Sequence, residues 1–250
     1  MILQTTLDSG IATIALNDPA KRNALTLTMF DALDAALARV AQEASTNVVI
    51  IRGEGPAFCS GFDLGACVDD PNLLAKFILR LSALNRSLRR LPQVVIAQVH
   101  GAAIAGGCAI LSACDFVFVA PDAKLGYPVH PIGISPAVTI PTLRLALGDG
   151  AARALVMSGE IIDGAEAHRR GLATHLAKSA ESLPAETTAL AQSLARKGPR
   201  ALRTTKAWLN ELDGSDIDTN FLPAAEDSAA ASETAEARSM LATFWAQLRA

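Results

Sequence analysis

The sequence predicts an α/β fold, on three observations. Continuous apolar runs bounded by polar residues or glycine recur at NVVIIRG, QVVIAQV and DFVFVA, the form of covered strands. Stretches with apolar residues at helical spacing lie between them. Strands that alternate with helices need crossover connections, hence parallel pairing, whereas the end of the chain reads as helix after helix.

Taken in order, ILQTTL and IATIALN are short period-two runs on either side of Asp8-Ser9-Gly10, which predicts a β-hairpin. TLTMFDALDAALARVAQEA follows with helical spacing, and Thr26 is placed to cap it. The strand NVVIIRG ends at Gly53. A helix over NLLAKFILRLSALNRSLRRL leads to QVVIAQV, a short helix opens at AGGCAILSA, and DFVFVA closes the strand-rich part. From about residue 136 the strand signal fades. TLRLALG, AARALVMSG and AEAHRRG read as helices, followed by a long helical tail from Glu181 to Ala250. This pattern divides the chain into a core domain, 1–192, and a C-terminal helical region, 193–250. Such a tail needs a surface to pack on, and another subunit is one candidate.

Half of the 250 residues are hydrophobic and 19% are charged, enough for a large buried core. The net charge of −3 comes without a block of like charges, which argues against a nucleic-acid partner. MILQTTLDSG lacks the charged and apolar regions of a signal peptide. The most membrane-like stretch, PQVVIAQVHGAAIAGGCAILSAC, is interrupted by Gln98, His100 and glycines, so it reads as a buried strand and helix, with no membrane partner. Cys59, Cys67, Cys108 and Cys114 show no CxxC or His-paired spacing. They read as reduced core or site-wall residues, and the expected compartment is cytoplasmic. No ligand cluster points to a metal or redox cofactor.

Two glycine-bearing segments carry the candidate chemistry. GEGPAFCSGFDLGA follows the strand NVVIIRG, and HGAAIAGGCAI follows QVVIAQV. Both sit at carboxyl ends of strands, where a parallel sheet presents its ligand crevice. Glycine lets backbone N–H groups approach a ligand without an intervening Cβ. Gly106-Gly107 also opens a helix, whose first N–H groups lack intrahelical partners. One N–H from each segment, converging on a carbonyl oxygen, would form an oxyanion hole. Plain close packing accounts equally well for either segment alone. Neither matches G-x-G-x-x-G or the P-loop, which excludes a phosphate cradle of those types.

The same residues resemble the crotonase (enoyl-CoA hydratase/isomerase) family. IATIALNDPAKRNALT is similar to that family's opening N-x-P-x-K-R-N-A-L, and AFCSGFDL to its first oxyanion segment F-x-x-G-x-D-[LI]. VIAQVHGAAIAGGCAILSACDFVFVA resembles the second, and LVMSGEIIDGAEAHRRGLATHL, GPRALRTTK and SETAEAR follow in the family's order. The resemblance implies a crotonase-like spiral of ββα units with a C-terminal helical region used in oligomerisation, as a homotrimer or a dimer of trimers. It implies an acyl-CoA substrate, with coenzyme A as part of the substrate and no separate cofactor. The backbone N–H groups of Phe62 and Gly106 would form the oxyanion hole. Phe62, Asp63, Leu64 and Gly65 would line the thioester and pantetheine, and Lys21, Arg22 and Ala24 the CoA nucleotide.

The match fails where a hydratase needs its acids. Family hydratases use two glutamates, in G-G-x-E and F-G-x-P-E; here Ala109 and Val129 hold those positions, and neither moves a proton. Ala137 stands where some isomerases place an acid. His130, next to Val129, is the candidate replacement acid/base, because imidazole titrates near neutrality; a rim or core histidine is the competing reading. Tyr127, the one tyrosine, would touch substrate or pack. Asp63 and His100 read as structural, His168 and His175 as surface residues of the helical second half. Phe244 matches an aromatic that in relatives reaches the adenine of a neighbouring subunit, but Gln247 replaces the accompanying lysine. The expectation is therefore an enoyl-CoA hydratase/isomerase-like enzyme stabilising an enolate-type intermediate. The alternative is a catalytically silent acyl-CoA-binding protein.

Overall fold

The computed structural model describes residues 2–70 and 72–249. Strands β1 (Leu3–Asp8) and β2 (Ile11–Leu16) pair antiparallel, closed by Asp8 opposite Ile11. Ser9 and Gly10, the two turn residues, both have positive φ (49° and 80°), the left-handed pair whose twist matches that of the flanking strands.

Helix α1 (Leu27–Gln42) then crosses to β3 (Val48–Gly53), which runs parallel to β2. The Thr26 hydroxyl accepts the Met29 N–H at 3.1 Å and caps α1. Thr26→Ala is expected to cost about 1 kcal/mol. Thermal unfolding followed by circular dichroism should register a fall of roughly 2–4 °C, restored by Thr26→Ser. An unchanged midpoint for Thr26→Ala would remove the cap from the energetics.

Helices α2 (Leu64–Asp69) and α3 (Leu73–Arg90) lead to β4 (Val94–Val99), parallel to β3 and wholly buried. After β5 (Ala102–Ile104) and α4 (Gly106–Ser112), strand β6 (Phe116–Val119) pairs parallel with β4. Then come β7 (Lys124–Gly126), α5 (Ile140–Leu147), α6 (Asp149–Ser158), β8 (Ile161–Asp163), α7 (Gly164–Arg170) and β9 (His175–Leu176). The first sheet has the order β1-β2-β3-β4-β6-β9. The second, β5-β7-β8, stands beside it and carries the chain into and out of the 105–130 region. This arrangement is the crotonase-like α/β fold expected from the resemblance.

Two elements correct the expectation of pure helix beyond residue 136. Strands β8 and β9 are three and two residues long, too short for any periodicity to show. His175 is accordingly a half-buried strand residue, its imidazole stacked on Phe118 at 4.2 Å between ring centres. Burial lowers its pKa.

The tail is four helices: α8 (Leu183–Ala195), α9 (Pro199–Asp213), α10 (Leu222–Ser232) and α11 (Ala235–Arg249). Helix α8 covers β3 and β4. Buried Lys206 pins α9, its ammonium donating to Asp115 Oδ2 at 2.6 Å and to the Gln93 carbonyl at 2.9 Å. Helix α10 lays a face of small residues, Ala225, Ser228, Ala229 and Ser232, toward α3. Helix α11 packs against α2 and the 130–132 turn. These helices therefore find a packing surface within their own chain. Among the described residues, no helix is long and apolar enough to cross a membrane.

Candidate functional site

The two glycine segments are joined by backbone bonding. Cys59 bridges to Ala103 in parallel fashion: its N–H donates to Ala102 O, and Ile104 N–H donates to Cys59 O, each at 3.0 Å. Phe62 bridges to Leu25, with Leu25 N–H donating to Gly61 O (2.7 Å) and Asp63 N–H to Leu25 O (3.2 Å). In such a bridge the flanking residues make the bonds, so the N–H of Phe62 itself points to the opposite side. Gly106, first residue of α4, has no intrahelical acceptor for its N–H. Among the described residues, neither N–H donates to a protein acceptor. Phe62 and Gly106 line one cavity.

Backbone strain marks the same spot. Ala105, just before the Gly106 amide, has φ 50° and ψ −110°, a region costing a residue with a side chain about 1–3 kcal/mol. It is held there by its N–H on Gly126 O (2.8 Å) and by Ala109 N–H donating to its carbonyl (2.9 Å). Gly61, with φ 94°, passes so near that a β-carbon on it would lie 3.0 Å from Ile104 O.

The cavity, of about 160 Å³, is lined by Ile78 and Leu81 of α3, by Val129, Ile132 and Ile134 of the following loop, and by Phe244 of α11. Ala109 and Val129 face it, where the resemblance puts a hydratase's glutamates. Its polar groups are the hydroxyls of Ser60, Tyr127, Ser135 and Thr139. Among the described residues lining it there is no carboxylate, imidazole, ammonium, guanidinium or thiol. Tyr127 is buried, its oxygen 3.2 Å from Thr139 Oγ1, and burial pushes its phenol well above the ordinary range. Burial likewise pushes Cys59, Cys67, Cys108 and Cys114 up to about 12, so all four remain thiols.

His130 is not brought to the cavity. It is exposed at the start of a 3₁₀ turn, His130–Ile132. Ile132 and Ile134 both donate to Val129 O, and this tight loop turns Val129, Ile132 and Ile134 inward and the imidazole out. The proposed acid/base role thus has no geometric support. His100 Nε2 lies 2.8 Å from the Gly55 carbonyl, a structural contact, and His168 is exposed.

The 19–24 loop is tied beside the first segment. Ser60 N–H donates to Arg22 O at 3.0 Å, and Lys21 Nζ meets Asp63 Oδ2 at 2.7 Å. That partner raises the Lys21 pKa. Asp63 also caps α2, accepting Ala66 N–H. Lys21 and Arg22 are exposed and Ala24 is buried. Leu64 lines the cavity, whereas Gly65 lies under the Trp245 ring, where a β-carbon would come within 2.9 Å.

Sequence reading missed several contributors. Asn23, buried with φ 56°, donates to Ala57 O (2.8 Å) and Glu54 O (3.0 Å) and anchors the 19–24 loop. Ser135 and Thr139 sit in PIGISPAVTIP, a segment whose sequence signal was only its apolar character. Phe244 lines the cavity of its own chain.

The enoyl-CoA hydratase/isomerase family model matches residues 6–226. A Thermus thermophilus protein that carries an enoyl-CoA hydratase name is 33% identical over 239 residues, 94% of this chain and 94% of that protein. A crotonyl-CoA hydratase of Syntrophomonas wolfei is 33% identical over 218 residues, 84% of this chain and 82% of that protein. Among solved structures, an enoyl-CoA hydratase from Mycobacterium avium superposes with a TM-score of 0.87 at 26% identity, covering 98% of this chain and 96% of that one.

Proposed function

Because the chain belongs to the enoyl-CoA hydratase/isomerase family, we propose that its cavity takes an acyl-CoA thioester, with the carbonyl oxygen between the N–H groups of Phe62 and Gly106. One observation carries the reading: two amides without a protein acceptor, from segments bonded together, face a single apolar cavity. Such donors act on charge that develops at the oxygen, and losing one costs roughly 3 kcal/mol of transition-state stabilisation. The intermediate so favoured is an enolate or a related oxyanion. Coenzyme A enters as part of the substrate, its nucleotide end near the Lys21–Ala24 loop. Hydration by the two-glutamate route is not part of the reading, since Ala109 and Val129 carry no proton.

A second reading, a silent acyl-CoA-binding protein, is favoured by the lack of any side chain titrating near neutrality among the described lining residues. Measuring acetyl-CoA affinity beside turnover of enoyl, 3-enoyl and acyl thioesters separates the two. Binding with turnover supports the enzyme; binding with none supports the silent protein. Failure to bind any thioester removes both. Assembly as a trimer or dimer of trimers belongs to the same proposal, supported by exposed Trp208, Leu209 and Leu212 on α9. Light scattering after size exclusion tests it, and a monomer would overturn it.

A further inference from the structure

Away from the cavity, the first sheet leaves one long edge open. Its order places β1 at one end and β9 at the other. Strand β9 has two residues, and the outer strands of the second sheet, β5 and β8, have three each; β1 has six. Because a two-residue turn closes the hairpin, Asp8 and Ile11 form a hydrogen-bonded pair, and Thr6 and Gln4 repeat it in alternation. The Asn17 N–H, donating to Ile2 O at 2.9 Å, continues that series. The N–H and C=O groups of Leu3, Thr5 and Leu7 therefore point away from β2. Among the described residues, no further backbone group pairs with them.

Exposed edge strands are usually blunted by lysine, proline or a bulge. The stretch ILQTTLD contains neither residue, and its pairing with β2 runs unbroken from Leu3 to Asp8. Asp8 is its one charge.

We propose that this edge pairs with β1 of a second copy, antiparallel about a two-fold axis through Thr5. The sequence is complementary to itself in that register. Thr5 meets Thr5 of the partner subunit, Leu3 meets Leu7 of the partner subunit, and all three open residues of each strand bond. Leu7, 49% exposed, gains an apolar neighbour in buried Leu3. On the other face Gln4 comes opposite Thr6, both exposed and both able to hydrogen-bond. Asp8 falls opposite Ile2, so no like charges meet. A two-fold contact consumes the same edge on both copies, so the assembly closes at a doubling and does not grow into a fibre. A ladder this short is small beside the roughly 1,200–2,000 Å² of a standard interface, which makes the contact weak and reversible. It uses different residues from the α9 contact above and doubles whatever that contact builds.

The test is sedimentation of the full chain from low to high micromolar concentration. The expected result is a mean mass that doubles across the series. Thr5→Pro removes an outward N–H and costs the hairpin no ladder bond, so the fold, checked by circular dichroism, should persist. Its mass should stay at the lower value throughout. Leu7→Lys, which removes both Leu3–Leu7 pairs of the dimer, should raise the dissociation constant about tenfold and decides the matter should Thr5→Pro not fold. Equal masses for the unaltered protein and the variants at every concentration overturn the proposal. Doubling that survives in folded Thr5→Pro and in Leu7→Lys also overturns it, as does growth beyond a doubling.

Discussion

Crotonyl-CoA mixed with this protein is expected to keep its conjugated-thioester absorbance, with hydration slower than in a two-glutamate enzyme by about 10⁴-fold or more. The size follows from the two missing groups, since a positioned general acid or base contributes typically about 10²–10⁴-fold. Ala109 and Val129 stand in their places, both on the cavity wall and both aliphatic. The remaining candidates do not substitute. His130 faces solvent, the buried thiols sit at about 12, and the Tyr127 phenol is held well above its ordinary range. The polarising amides alone should give binding without hydration. Loss of absorbance at a rate typical of hydratases would mean that a proton carrier reaches the cavity by a movement absent from this structure, and His130→Ala would be the next variant.

Gly107→Ala should be a severely damaging single-methyl change at the site. A β-carbon on Gly107 would sit 2.3 Å from the Cys59 carbonyl oxygen and 2.9 Å from Cys59 Cβ. That carbonyl cannot give way freely, because it accepts the Ile104 N–H in the bridge uniting the two segments. Relief therefore parts the segments that bear the Phe62 and Gly106 amides. Overpacking of this kind costs about 1–3 kcal/mol and sometimes more, and backbone opposition puts this case at about 3 kcal/mol. Thermal unfolding should drop by roughly 6–12 °C, and acyl-CoA affinity should fall with it. Gly150 supplies the contrast: it lies in α6 with nothing within 4 Å, and Gly150→Ala should be neutral or stabilising by up to about 1 kcal/mol. Equal melting and equal affinity for Gly107→Ala and the unaltered protein would sink the close-approach argument.

Much of the fold was legible because its signals are local. The Ser9-Gly10 turn, the Thr26 cap and the runs of β3, β4 and β6 are written within a few residues of where they act. Burial on both faces forces a continuous apolar run, and a hairpin of two residues forces left-handed backbone. The two glycine segments were legible for the same reason, as was the aliphatic character of Ala109 and Val129.

Other features depend on residues far apart in the chain, and no periodicity encodes them. Lys206 and Asp115 meet across 91 positions, Lys21 and Asp63 across 42. The second sheet is built of strands of three residues, below the length at which alternation can be recognised.

By itself, then, the sequence determined the α/β alternation, the family, the paired glycine segments and the absence of the hydratase's two acids. Tertiary structure alone decided what surrounds them. It turned His130 to solvent, because the 129–134 loop spends its inward positions on Val129, Ile132 and Ile134. It folded α11 back so that Phe244 lines the chain's own cavity, and it brought Tyr127 and Thr139 together as two of the four side-chain hydroxyls on a largely apolar wall. The physical reason is that a side chain's chemistry is written at its own position, while its direction and its neighbours are set by packing among segments that the sequence keeps far apart.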